Sequence, residues 1–87
     1  MPRYEVADDL DERTKDLSRA RQSLIEEIEA IMFYDERAAA TKDKDLKEVI
    51  IHNRDDEKEH ASLLLEWLRK HDESLDKELK KTLFSKK

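Results

Sequence analysis

The chain has 87 residues, of which 47% are charged and 37% apolar, with a formal net charge of −5. A domain of this size buries only about 60% of the surface of its unfolded chain, so its own core is thin and assembly is expected. The acidic balance disfavours nucleic acid and anionic membranes as partners, and the absence of cysteine excludes disulfide bonds and thiolate metal sites.

The sequence carries no recognisable signal for export or membrane insertion. Its N-terminus lacks the apolar core of a signal peptide. No apolar run approaches the roughly 20 residues that are needed to span a bilayer. We therefore expect a cytoplasmic protein that has no contact with a membrane.

An all-α fold is predicted, because the chain contains no glycine and its one proline is the second residue. The first helix is expected over about residues 8–40. Asp8 or Asp9 can cap it by accepting hydrogen bonds from free backbone N–H groups. A short polar turn follows, in which Thr41 or Asp43 can cap the next helix.

The second helix is predicted over about residues 44–70, and the short turn before it makes the two helices an antiparallel hairpin. Residues 71–74 form a second polar interruption. Leucines at four-residue spacing then predict a short C-terminal helix over about residues 75–84. We interpret residues 1–87 as one domain, half of a four-helix bundle.

Each long helix is predicted to carry a seam that is apolar at both ends and polar in the middle. Steps of three and four residues along the first helix pass through Leu17, Ala20, Leu24, Glu27, Ile31, Tyr34 and Ala38. The same steps along the second helix pass through Leu46, Ile50, Asn53, Glu57, His60, Leu64 and Trp67. Glu27 and Glu57 each lie about fifteen residues from the turn, so the two polar patches are expected to meet.

These patches predict a metal site. A carboxylate buried between helices costs several kcal/mol unless it is paired or binds a metal, and Lys and Arg lie mostly off both seams. Glu57 and His60 are one turn apart on one helix face, so both can reach a single ion. Di-iron carboxylate bundles use Glu-x-x-His on two helices and one Glu on each of two others. With Glu27, this chain supplies half of that set, so a two-fold dimer would complete it.

Carboxylate and imidazole ligands suit Fe(II) or Mn(II), although zinc can also occupy such sites. A pair of Fe(II) ions would reduce O₂, so a ferroxidase is predicted. A non-catalytic helical interaction module is the runner-up, in which the polar seam centres only set pairing specificity. A third interpretation is a protein of the same fold that holds zinc or manganese without turnover.

Other polar and aromatic residues have simpler interpretations. Asn53 is expected to cap the polar patch by hydrogen bonding or to fix the pairing register. Two interpretations of Tyr34 have equal weight, core packing and a hydrogen bond to a ligand carboxylate. Trp67 is interpreted as a core residue. His52 lies off the seam and His71 at a helix end, so neither is predicted to be a ligand.

The middle of the first helix is acidic around the seam. Glu26, Glu29, Asp35 and Glu36 lie there, and a solvated helix face explains most such runs. Because Glu26 and Glu29 flank Glu27, they can also form an outer metal site that draws Fe(II) towards the centre.

Several segments match one family of proteins. They are SLIEEIEA at residues 23–30, Tyr34, HNRDDEKEHA at residues 52–61, LLEWL at residues 64–68 and DKELK at residues 76–80. With these segments the chain resembles the encapsulated ferritins, short ferritin-like proteins that are packaged inside encapsulin shells. The resemblance runs from about Leu17 to Phe84.

The resemblance implies a two-helix protomer with a short C-terminal helix, whose dimers rebuild a ferritin-like four-helix bundle and assemble into a ring, typically a decamer. The family's ferroxidase ligands correspond to Glu27, Glu57 and His60. Glu26 and Glu29 correspond to its outer metal site, and Tyr34 is expected to contribute beside the di-iron centre. In the family, iron that the open ring oxidises is stored as mineral inside the encapsulin nanocompartment, and the resemblance implies the same for this chain.

The sequence departs from the family in two places. Phe33 stands where the family has a tryptophan before Tyr34, so no indole can act there. The family also carries an apolar, glycine-containing C-terminal peptide for encapsulation, whereas this sequence closes on SKK at residues 85–87. The expectation is that the tail has been removed or that targeting uses another route.

Overall fold

The computed structural model describes residues 9–84, and within them it contains three helices and no strand. They are α1 (Glu12–Ala40), α2 (Lys44–His71) and α3 (Glu73–Thr82). The first two pack as an antiparallel hairpin, and α3 packs against α2. None of these helices is both long and apolar enough to cross a membrane.

The N-terminus of α1 is fixed by Asp11, whose carboxylate accepts a 2.7 Å hydrogen bond from the Thr14 N–H. The helix therefore begins at Glu12, three residues after Asp9. The predicted start near Asp8 or Asp9 is too early, although Asp8 itself lies outside the described residues. The reason is that Asp11 satisfies a free N–H group of the first turn, as a capping aspartate does.

The turn between α1 and α2 has only three residues, 41–43. The Thr41 N–H closes α1 by donating to the Arg37 carbonyl at 3.0 Å, and the Thr41 hydroxyl accepts from the Asp43 N–H at 3.2 Å. Asp43 then caps α2 by accepting from the Leu46 N–H at 2.9 Å. Of the two expected caps, Asp43 serves α2 and Thr41 ends α1.

The interruption between α2 and α3 is a single residue, Asp72, and not the four predicted residues. Its carboxylate accepts from the Leu75 N–H and the Ser74 hydroxyl, both at 3.1 Å, and from the Arg21 guanidinium at 2.9 Å. These bonds, led by the one from Leu75, lower the pKa of Asp72. Because Asp72 is the cap, α2 continues to His71 and α3 begins at Glu73, two residues before its predicted beginning. The bond from Arg21 also connects the corner between α2 and α3 to α1.

The apolar core lies at the two ends of the hairpin. Leu17 and Leu68 are buried towards the open end, and Ala38 and Ile50 are buried beside the turn. No other described apolar residue is buried, so the middle of the hairpin lacks a core residue of this kind. The site region is therefore held between two separate apolar clusters.

The predicted seam of α1 agrees with the structure, since all seven of its residues are buried or half-buried. The predicted seam of α2 is only partly right. Leu46, Asn53 and His60 are exposed on the protomer, whereas Leu68, which is outside that seam, is only 3% exposed. The face of α2 that meets α1 is rotated by a fraction of a turn and includes Arg54 and Ala61.

Both long helices keep apolar side chains on the surface. On α1 they are Ile25, Ile28, Met32 and Phe33, with 40–55% of each exposed. On α2 they are Leu46, Val49 and Leu63, with 49–65% of each exposed. The three residues of α2 share a helix face with His60, because they recur at the same steps of three and four residues.

Candidate metal centre

The hairpin brings together one ligand from α1 and two from α2. His60 Nδ1 lies 3.4 Å from Glu57 Oε2 and 3.6 Å from Glu27 Oε2. One ligand atom from each of the three residues lies within 4.8 Å of the others. Ligands that share an ion at about 2.1 Å lie roughly 3–4 Å apart, so small side-chain adjustments suffice for one cation to contact all three.

One oxygen of this group is left without a partner. Among residues 9–84, Glu27 Oε2 is the buried side-chain oxygen that has no hydrogen bond. The Glu27 and Glu57 side chains are 25% and 22% exposed. A desolvated carboxylate oxygen is costly unless a donor or cation satisfies it. The donor set and the orphaned oxygen therefore fit a metal ion, for which these residues would supply the ligands.

The group is open on the side of His60, whose side chain is 50% exposed. Ions that prefer carboxylate and imidazole ligands take four to six donors. Three residues of one chain leave coordination positions free for water, for substrate or for side chains of another molecule. The protomer therefore holds an accessible and incomplete ligand set.

A cation that the sequence reasoning missed lies one turn from Glu57. The Arg54 guanidinium crosses to α1, where Nη1 donates to Asp35 Oδ1 at 3.0 Å. Nε and Nη2 both donate to Asp55 Oδ1 at 3.1 Å. Hydrogen bonds to Asp35 and then to Asp55 raise the pKa of Arg54, so this residue remains charged. Arg54 lies three residues before Glu57, and this spacing is the signal in the sequence that places both residues on one face of α2.

Three other predicted site residues lie outside the ligand group. Tyr34 is half-buried, and its ring lies 5.7 Å from the Arg37 guanidinium carbon, which is a cation–π contact. Glu26 is exposed and accepts a 3.1 Å hydrogen bond from the Gln22 amide. Glu29 is exposed as well. Their predicted roles remain predictions.

The two other histidines of the described residues have local partners. His52 Nε2 lies 3.4 Å from Asp56 one turn on, at the surface. His71 Nδ1 lies 2.7 Å from the Trp67 carbonyl, and the two rings stack with centroids 4.0 Å apart. Asn53 is exposed on the protomer. Neither histidine belongs to the group formed by Glu27, Glu57 and His60.

Comparison with known sequences identifies a family. The model of the EncFtn-like family matches residues 2–86. The ferritin-like protein of Thermotoga maritima is 43% identical over 84 residues, which are 97% of this chain and 74% of the relative. The encapsulated ferritin-like protein of Rhodospirillum rubrum is 43% identical over 82 residues, 94% of this chain. The chain spans 59% of the length of that second relative.

Comparison with solved structures gives a match over the whole chain. A crystal structure of a protein from Nitrosomonas europaea superposes with a TM-score of 0.96 at 49% sequence identity. The match covers 100% of this chain and 96% of the other. Sequence and fold thus agree over nearly the whole chain. This chain belongs to the EncFtn-like family of encapsulin-associated ferritin-like proteins.

Proposed function

We propose that this protein is a ferroxidase, which oxidises Fe(II) to Fe(III) at a di-iron centre formed between two protomers. The observation that carries the proposal is the group of Glu27, Glu57 and His60, in which a buried carboxylate oxygen has no partner. Membership of a ferritin-like family supports iron as the metal.

Iron is the substrate in this proposal, and the protein's residues bind and position it. Glu27 and Glu57 are the ligands that bridge the two ions, and His60 is a terminal nitrogen ligand. Two Fe(II) ions each give up one electron, and O₂ takes both electrons with two protons to form hydrogen peroxide. The carboxylates stabilise the extra positive charge of the Fe(III) product, since hard oxygen ligands favour the higher charge.

The number of ligands in one chain supports the proposal of a second protomer. A two-fold axis beside His60 would bring two copies of each ligand together, six residues around two ions. The α2 face that carries His60 also carries the exposed side chains of Leu46, Val49 and Leu63. Apolar side chains that flank an open polar site are typical of an interface that a second copy covers.

The proposed setting is an encapsulin shell inside the cytoplasm. The Rhodospirillum rubrum relative is described as encapsulated. As the resemblance to the encapsulated ferritins implies, dimers of this chain would form a ring, typically a decamer, that delivers Fe(III) for mineral storage within the shell. Glu26 and Glu29 form an outer site that captures Fe(II), and Tyr34 supports the centre from α1.

Aerobic oxidation of Fe(II), followed by the absorbance of Fe(III), tests the proposal. The wild-type chain is compared with the variant Glu27→Ala, Glu57→Ala, His60→Ala and with a protein-free control. We expect the wild type to exceed the control by at least about tenfold and the variant to fall to the control rate. Circular dichroism checks that the variant remains helical.

One outcome contradicts the proposal, and metal binding then decides between the two alternatives. An equal rate in the wild type and the protein-free control would exclude a ferroxidase. If metal binding then persisted in the wild type alone, a redox-inert zinc or manganese protein would be the better interpretation. If no metal bound at all, the interaction module would be.

A further inference from the structure

The Arg54 side chain makes the contact between α1 and α2 that lies nearest the candidate metal centre on the turn side. Only 24% of the side chain is exposed, and its 3.0 Å ion pair with Asp35 spans the two helices. Arg54 lies three residues before Glu57, which is about 4.5 Å along the helix axis. Its hydrogen bonds to Asp55 hold the guanidinium against α2 at the same time.

Among the described residues, no apolar side chain in this part of the hairpin is fully buried. The buried apolar residues are Leu17, Ala38, Ile50 and Leu68, near the two ends. Between them, the described contacts from α1 to α2 with defined geometry are the Arg54–Asp35 pair and the approach of His60 to Glu27. The contact of His60 with Glu27 belongs to the ligand group itself. The Arg54–Asp35 ion pair is therefore the described polar contact in this part of the hairpin that does not involve a ligand.

We propose that Arg54 is a positioning residue, which sets Glu57 opposite Glu27 by pairing with Asp35 across the hairpin. This inference rests on the proposed metal centre and adds the residue pair that holds its two carboxylates in register. Arg54 does not touch the metal; it acts through the backbone turn that it shares with Glu57.

The chemistry of the side chain suits this role. A guanidinium is planar and presents several donors, so one face can bind Asp35 while another binds Asp55. A lysine would supply charge without the two-sided geometry. If Asp35 were lost, the guanidinium would be released three residues from Glu57, within reach of its carboxylate, where it would compete with a metal ion.

Binding of Co(II), added alone, tests this inference without any turnover. Its visible absorption reports both affinity and coordination geometry. For Arg54→Gln and Asp35→Asn we expect affinity to fall by about tenfold, the lower limit usual for residues that orient ligands, together with a shifted absorption band. The charge-swapped variant Arg54→Asp, Asp35→Arg should recover most of the affinity and the wild-type band.

A matched control removes another long-range ion pair of the hairpin. Arg21→Gln breaks the 2.9 Å contact with Asp72, which lies fifteen residues beyond Glu57 in sequence. It should leave Co(II) affinity and spectrum unchanged. Equal loss in Arg21→Gln and Arg54→Gln, or no loss in Arg54→Gln, would overturn the positioning role. Failure of the wild type to bind Co(II) would instead overturn the metal centre and this inference with it.

Discussion

Glu27 is the residue at which stability and the proposed function conflict. Its Oε2 atom is buried without a hydrogen bond, and the nearest cationic candidate is His60 at 3.6 Å. An arrangement of this kind lowers the stability of the metal-free protein while it keeps an oxygen ready for a cation.

Glu27→Gln should therefore stabilise the metal-free protein and abolish metal binding. A neutral amide costs less to bury than a carboxylate, so we expect a gain of about 1 kcal/mol, or about 4–8 °C in Tm. Thermal unfolding at pH 8 in the presence of a chelator measures this change. Added Co(II) should raise the Tm of the wild type but not that of the variant. A lower Tm for metal-free Glu27→Gln would show that the carboxylate is satisfied in solution.

Spacing along the sequence was sufficient to bring the three ligand candidates together. Glu27 and Glu57 lie at matching distances from a short turn, and His60 follows Glu57 by one turn, so the antiparallel hairpin fixes their level. Arg54 was missed because Lys and Arg were expected to lie mostly off both seams. Only 24% of its side chain is exposed, and the guanidinium binds the carboxylates of Asp35 and Asp55. The spacing from Glu57 places Arg54 on the same helix face but does not reveal which groups it contacts.

At the level of the helices, Asp72 both ends α2 and begins α3. Asp72→Ala removes the acceptor for the Leu75 N–H, the Ser74 hydroxyl and the Arg21 guanidinium. We expect α3 to fray, with faster hydrogen exchange of its amides and little change in the middle of α1. Ser74→Ala is the control, because it removes one bond but leaves the cap. Unchanged exchange in α3 would mean that packing against α2 suffices to hold it.

The same cap should respond to acid. The pKa of Asp72 lies below its ordinary value of 3.8, chiefly because the Leu75 N–H stabilises the carboxylate. A lowered pKa in the folded state stabilises the fold above the ordinary value, and this stabilisation is lost as pH falls through the lowered pKa. Acid titration of helicity should therefore begin to show the loss as pH falls below about 4, and it should match the effect of Asp72→Ala only below the lowered pKa of Asp72.

Helix boundaries were less predictable from sequence than helix identity. Several aspartates lie near the helix ends, and sequence spacing alone does not select the one that caps. Asp11 takes the N-terminus of α1, and the tie from Arg21 favours Asp72 at the corner. The buried face of α2 was misassigned for a related reason, because a helix rich in both Leu and Ile offers two overlapping apolar stripes.

For the whole molecule, the exposed apolar side chains beside His60 are the feature that bears on assembly. Leu63 is 65% exposed and lies three residues after His60. Leu63→Glu would bury an unpaired charge in the proposed interface, so we expect the dimer to weaken by more than about tenfold and Fe(II) oxidation to be lost. Sedimentation over a dilution series, with and without Co(II), measures the association.

The control for this experiment is Ser62→Glu. It adds the same charge at an exposed neighbouring position that faces about 100° away around the helix. It should leave the site-forming dimer and the oxidation rate intact. A stable, active dimer of Leu63→Glu would place the partner protomer on another face.

The separation of the apolar core into two end clusters has a consequence for how such a protein can change over evolution. Leu17 with Leu68 and Ala38 with Ile50 hold the helices at positions remote from Glu27 and Glu57. Substitutions of Glu27, Glu57 or His60 leave these four buried residues in place. Ligand residues between the two clusters can therefore be replaced, by natural mutation or by design, while the buried residues at the two ends stay the same.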